Sequence, residues 1–190
     1  LPPDFAQRVK ALQVAPDADR LYLLMIDPPS IQSWKLAGTA EGARAEVEAW
    51  ADDPPENPTA IALSPDGSLL AIADRSGAVT LVDAVRLAAL GRIEPRADDP
   101  ETLASAVAFA PDGRRLAVGS QPGPVRLWDL SDPSSPRASI RLPGPAALPF
   151  LVLAFSPDGR RLAVGGGDSI VESWDLAALD EELRSLGLGD

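Results

Sequence analysis

Three segments of the chain repeat one another in nearly fixed register: IALSPDGSLLAIADRSGAVTLVDAV from Ile61, VAFAPDGRRLAVGSQPGPVRLWDLS from Val107, and LAFSPDGRRLAVGGGDSIVESWDLA from Leu153. Their turn prolines, Pro65, Pro111 and Pro157, are 46 residues apart twice over. A repeat of this size cannot bury its own apolar face, so successive copies must stack to make a core, and the period belongs to small β-sheet units and not to helical solenoids. A fourth, worn copy comes first. LQVAPDADRLYLLMIDPPSIQSWKL puts Pro16 in the turn and Trp34 18 positions later, where the other copies have 17.

Within each copy a short apolar run such as Val107-Ala108-Phe109 leads into a turn, here Ala110-Pro111-Asp112-Gly113. Proline presets φ, aspartate accepts from nearby amides, and glycine takes the positive φ that enters the next strand. A second strand is expected over Arg115–Val118, a turn over Gln121–Pro124, and a third strand over Val125–Asp129. About 20 residues then precede the next copy, enough for an outer strand and a return loop, as at Arg86–Pro95 and Ala138–Leu142. The stretch Arg44–Trp50 alternates Ala, Glu and Val in a pattern compatible with a strand or a short helix. Apolar residues on both faces of the inner strands suit sheets covered on both sides. After Asp175 the period becomes helical, with Leu176, Leu179, Leu183 and Leu186 followed by Gly187. A short amphipathic helix over 177–186 is therefore expected to pack on the last sheet.

The Ser/Ala-Pro-Asp-Gly turns, the Leu-Ala-Val-Gly second strands and Leu127-Trp128-Asp129-Leu130 resemble the Trp-Asp (WD) repeat family of β-propellers. The resemblance spans roughly Leu12–Leu179. Trp128-Asp129 and Trp174-Asp175 keep the signature, Val82-Asp83 keeps half of it, and Trp34-Lys35 keeps the tryptophan. It implies an all-β chain of four-stranded antiparallel blades at about 8–51, 59–97, 104–142 and 150–176, with Pro65, Asp66, Gly67, Pro111, Asp112, Gly113, Pro157, Asp158 and Gly159 as structural turns. In the family the tryptophan joins a hydrogen-bonded tetrad with a histidine, a Ser or Thr, and an aspartate. This chain has no histidine, so no blade can complete the tetrad and rigidity must come from packing. The closing run LAALDEELRSLGLGD looks like the end of repeat regions appended to large bacterial signalling proteins, Ser/Thr kinases among them, which places further sequence upstream.

Composition narrows the chemistry. The absence of His and Cys excludes Ser-His-Asp and Cys-His nucleophile systems, zinc sites with His or Cys ligands, and imidazole base catalysis. The adjacent acids Asp52-Asp53, Asp98-Asp99 and Glu181-Glu182 read as solvated loop or helix charges; Asp17-Ala18-Asp19 lacks the rest of a calcium loop. Gly165-Gly166-Gly167 lacks the Lys-Ser/Thr of a phosphate loop and occupies the second turn of its repeat. No catalytic, cofactor or metal residue is assigned. The net charge of −11 opposes nucleic-acid binding and favours a basic or neutral protein partner. The longest apolar run, Leu21–Ile26, is too short to cross a membrane, and a cytoplasmic location is expected. Fifteen arginines against two lysines suggest a GC-rich bacterial genome.

If the chain runs as in the family, the proline turns lie on one face of the ring, and the second-to-third-strand turns and interblade loops on the other. That second face carries Asp52, Asp53 and Glu56 from one loop, Asp98, Asp99 and Glu101 from the next, and the apolar loop Pro143–Phe150. An acidic rim beside Phe150 is the expected protein- or peptide-docking surface. Closure is the remaining problem. Leu1-Pro2 and Leu142-Pro143 both stand 15 positions before a turn proline, so the chain is expected to begin just after an outer strand and end after a third strand, with none to latch the last blade. The expectation is a half-propeller, completed by missing blades or by self-association. Its function is then that of a non-catalytic interaction scaffold, or else a regulatory module in a bacterial Ser/Thr kinase or other multidomain enzyme.

Overall fold

The computed structural model describes residues 9–26, 29–37, 44–48, 55–95, 103–121, 123–143, 151–166 and 171–187. Among them lie four separate antiparallel sheets, each a simple meander. The first joins β1 (Val9–Val14), β2 (Arg20–Ile26), β3 (Pro29–Ala37) and β4 (Arg44–Glu48). The second joins β5 (Pro58–Leu63), β6 (Leu69–Asp74), β7 (Val79–Asp83) and β8 (Ala88–Ile93). β9 (Leu103–Phe109), β10 (Arg115–Gln121), β11 (Val125–Asp129) and β12 (Arg137–Leu142) make the third. β13 (Leu151–Phe155), β14 (Arg161–Gly166) and β15 (Val171–Asp175) make a fourth sheet of three strands, followed by α1 (Leu176–Ser185). These are the propeller-type blades that the repeat predicts.

The turn chemistry is literal. Ser64 N–H bonds to Leu69 O at 2.8 Å, Gly67 N–H to Ser64 O at 2.9 Å, and Asp66 accepts from Ser64 Oγ at 2.6 Å and Ser68 N at 3.0 Å. The same loop recurs at Ala110–Arg115 and Ser156–Arg161, where Asp112 accepts from Arg114 N at 2.9 Å and Asp158 from Arg160 N at 3.1 Å. The hydroxyls of Ser64 and Ser156 hold the carboxyls of Asp66 and Asp158 below their ordinary 3.8. Gly67, Gly113 and Gly159 take φ of +74°, +69° and +70°, and the worn first copy forces Ala18 to +58°. These glycines also touch the preceding blade. A Cβ on Gly67 would lie 2.7 Å from Pro16 Cδ, on Gly159 3.5 Å from Pro111 Cδ, and on Gly113 4.0 Å from Pro65 Cδ. Each turn proline therefore rests on the turn glycine of the next blade.

The core is divided among the blade junctions. Tyr22, Leu24 and Ile31 meet Ile61, Leu70, Ile72 and Val82 at the first. Ala71, Ala73, Val79 and Leu81 meet Leu116, Val118 and Trp128 at the second, and Ala117, Val125 and Leu127 meet Leu153, Leu162, Val164 and Leu176 at the third. Burial of this kind, at about 25 cal/mol per Å² of apolar surface, is what binds one sheet to the next.

Three expectations are refined. The stretch from Arg44 is a strand, its Val47 paired with Trp34, and not a helix. The second strand of the third repeat runs to Gln121 and not Val118, because a bulge after Gly119 lets Ser120 and Gln121 go on pairing with β9. The helix begins one residue early, at Leu176, with the Asp175 carboxylate accepting from Ala178 N at 3.0 Å as its N-cap.

The missing tetrad has a visible consequence. Trp128 Nε1 is buried without a hydrogen-bond partner, while Trp34 Nε1 donates to Gln32 Oε1 at 3.0 Å.

Candidate interaction face

The second blade shows how the loop edge is built. Asp74 ends β6 with its side chain buried, and accepts from Ser76 N at 2.8 Å, Ser76 Oγ at 2.5 Å and Ala78 N at 3.3 Å, which closes the β6–β7 turn. Gly77, at φ +89°, makes the bend possible. Arg92, from β8, reaches across the sheet to Asp74 Oδ2 at 3.3 Å and Thr80 Oγ1 at 3.2 Å, and its Nε donates to Glu94 at 2.8 Å. Half-exposed, Arg92 bonds to three side chains, those of Asp74, Thr80 and Glu94.

The loop before β5 packs beside this turn. Arg75 N–H donates to Asn57 O at 3.2 Å, and Asn57 itself sits at φ +49°. Together Glu56, Asn57, Asp74, Arg75, Ser76 and Arg92 line a cleft of about 360 Å³. A second concavity of about 420 Å³ continues past Arg92 along the outer strand, lined by Pro55, Thr80, Ala89, Leu90 and Gly91. Leu90 is exposed there. Two carboxylates and two guanidiniums beside an apolar shelf can pair with charged side chains of a segment and seat one apolar residue. Among the described residues no group of three or more acids is placed to hold a metal ion.

Of the rim residues predicted from sequence, Glu56 is described: it is exposed and lines the cleft. Asp52, Asp53, Asp98, Asp99, Glu101 and Phe150 lie outside the described residues. Sequence reasoning missed Asp74, Arg75, Ser76 and Arg92. Asp74 was legible in principle as an Asp-x-Ser-Gly turn; Arg92 was not, because its role depends on cross-strand register. The signature aspartates brace their own turns. Asp129 accepts from Ser131 N at 2.8 Å and Oγ at 2.7 Å, bonds that lower its carboxyl below the ordinary value, the Ser131 hydroxyl first. Asp83 caps its own turn through Val85 N at 3.0 Å and Arg86 N at 2.8 Å. Trp174 is half-buried in the third junction.

Asp17 and Asp19 form an acidic pair at the first turn. Hydrogen bonding to Asp19 holds the Asp17 carboxyl below its ordinary value, and the same neighbour pushes the carboxyl of Asp19 up. No helix among the described residues is long and apolar enough to cross a membrane.

Comparison with known proteins follows the fold. The family described as WD domain, G-beta repeat matches residues 147–175. No curated protein matches the sequence. The structure of U3-55K aligns with a TM-score of 0.68 at 24% identity, over 90% of this chain and 50% of that one. The crystal structure of RRP9 WD40 repeats aligns with a TM-score of 0.69 at 24% identity, over 90% and 49%. A putative 6-phosphogluconolactonase from Bacteroides uniformis aligns with a TM-score of 0.72 at 14% identity, over 89% and 50%. At these identities the likeness shows the propeller fold alone. The chain spans about half the length of the solved proteins it matches.

Proposed function

We propose that this chain is a non-catalytic protein-interaction scaffold whose partner docks on the edge formed by interblade loops and β6–β7-type turns. The observation that carries the reading is the cleft at Glu56, Asn57, Arg75 and Arg92, where an interblade loop and an inner turn meet in one polar depression beside exposed Leu90. The match of residues 147–175 to the WD repeat supports it, since such repeats supply a rigid frame and leave recognition to the loops. Under this proposal Asp52, Asp53, Asp98, Asp99 and Glu101 extend the rim with negative charge, Phe150 adds an apolar anchor, and the preferred partner is a basic peptide or protein segment.

The test is binding of labelled Lys/Arg-rich and Glu-rich peptides of equal length, followed by anisotropy at low and high salt. The basic series is expected to bind and to weaken with salt, and Asp98→Arg with Asp99→Arg is expected to weaken it by about tenfold. Equal binding of both series, or no effect of the double reversal, ends the reading. A second reading, a regulatory or structural module within a larger multidomain protein, draws on the half-length match to the solved propellers.

A further inference from the structure

The chain contains three Asp-Gly steps, Asp66-Gly67, Asp112-Gly113 and Asp158-Gly159, and all three occupy the same exposed turn of successive blades. Such a step is chemically reactive, because glycine puts no side chain between its own nitrogen and the aspartyl Cγ. The glycine nitrogen attacks Cγ of the neutral acid, a C–N bond forms, and the carboxyl hydroxyl leaves with the amide proton as water. Water then opens the succinimide at either carbonyl. One opening returns the α-linked aspartate; the other leaves a β-linked residue whose main chain is one carbon longer. No reactant besides water is needed.

The three turns engage the glycine nitrogen alike, with Gly67, Gly113 and Gly159 donating to Ser64 O, Ala110 O and Ser156 O at 2.9, 2.9 and 2.8 Å. They hold the carboxyl differently. Asp66 accepts from Ser64 Oγ at 2.6 Å, Ser68 N at 3.0 Å and Ser68 Oγ at 2.8 Å, and Asp158 from Ser156 Oγ at 2.6 Å and Arg160 N at 3.1 Å. In the third blade Ala110 stands where Ser64 and Ser156 stand, and among the described residues Asp112 accepts from Arg114 N alone, at 2.9 Å. A hydroxyl on the carboxylate opposes ring closure twice. It favours the charged form, which has no hydroxyl to lose, and it ties down the side chain that must rotate onto the glycine nitrogen. The first effect shows at Asp66 and Asp158, whose carboxyls the serine hydroxyls hold below the ordinary value. The neighbouring blade adds a second difference. A Cβ on Gly67 or Gly159 would meet the preceding proline ring at 2.7 or 3.5 Å, but on Gly113 at 4.0 Å, so the peptide unit that must bend has most room in the third blade.

We propose that Asp112 is a site of spontaneous modification: ring closure onto Gly113 runs fastest there among the three repeats and converts Asp112 to a β-linked aspartate in the folded protein. The added main-chain carbon falls inside the loop closed by Ala110 N to Arg115 O at 2.8 Å and Gly113 N to Ala110 O at 2.9 Å, so the modification loosens the turn between β9 and β10. It acts on the frame of the third blade and is independent of what docks on the loop edge.

Incubation of the folded chain in oxygen-18 water, followed by trypsin digestion in ordinary water and mass spectrometry, measures this directly. Each ring opening writes one heavy oxygen into the aspartate, and the three turns fall in separate tryptic peptides, ending at Arg75, Arg114 and Arg160, within which fragment ions place the label. Uptake at Asp112 is expected to be about tenfold faster than at Asp158, the factor that one hydrogen bond to a charged group supplies, and slowest at Asp66. Ala110→Ser is expected to slow Asp112 to the rate of Asp158, and Ser156→Ala to raise Asp158 toward Asp112. In urea the ranking is expected to vanish, because every one of the three aspartates lies between a proline and a glycine. Equal uptake at the three turns of the folded chain, faster uptake at Asp66 or Asp158, no uptake at any, or a ranking that persists in urea overturns the proposal.

Discussion

The turn glycines carry two duties, and their substitution separates them. Any side chain at φ near +70° costs about 1–2 kcal/mol for L-residues. That cost is common to Gly67, Gly113 and Gly159. Only Gly67 adds a clash, because its Cβ would sit 2.7 Å from the ring of Pro16, whereas at Gly113 the nearest ring atom is 4.0 Å away. Gly67→Ala is therefore expected to destabilise the chain more than Gly113→Ala, and Ala18→Gly to stabilise it by about 1 kcal/mol, as relief of a positive φ does. Urea midpoints of the three variants check the order; equal losses at Gly67 and Gly113 would remove the interblade contact from the account. The orphaned indole N–H of Trp128 belongs to the same scale. The residue keeps its place for the ring's packing in the second junction, not for a hydrogen bond.

Among the elements, α1 shows one signature residue put to a second use. Asp175 sits where Asp129 braces a loop through Ser131, yet here no serine follows and the carboxylate caps a helix through Ala178 N. Leu176 then fills the position that Ala84 and Leu130 fill in earlier blades, fully buried in the third junction. Asp175→Ala is expected to cost about 1 kcal/mol by loss of the cap. A melting temperature unchanged from the unaltered chain would show that packing of Leu176 alone holds the helix. The inner strands and this helix were legible in the sequence because each is tied to a periodic signal, the Pro-Asp-Gly turn or the leucine spacing. The outer strands were legible only as lengths of chain. β8 is half in solvent, so its residues need not alternate cleanly, and Arg44–Glu48 satisfies strand and helix patterns alike until its pairing with β3 is known.

At the scale of the whole molecule, the chain is a row of sheets, each meeting the sheet before it and the sheet after it through opposite faces, so stability is a sum of blade and junction terms. The frame was legible in the repeat; the acidic loops that carry Asp52, Asp53, Asp98 and Asp99 lie outside the described residues, and their docking role is part of the proposal. The cleft was not legible, because Glu56, Asp74 and Arg92 converge only through strand order. The row also sets where it opens first. Strands β6, β7, β10 and β11 lie in sheets packed on both sides, whereas β1 and β15 have a junction on one side only. Amide exchange is therefore expected to be slowest in β6, β7, β10 and β11 and fastest in β1 and β15. Equal protection of β15 and β7 would mean that each sheet holds itself together, and that the junctions orient the blades without stabilising them.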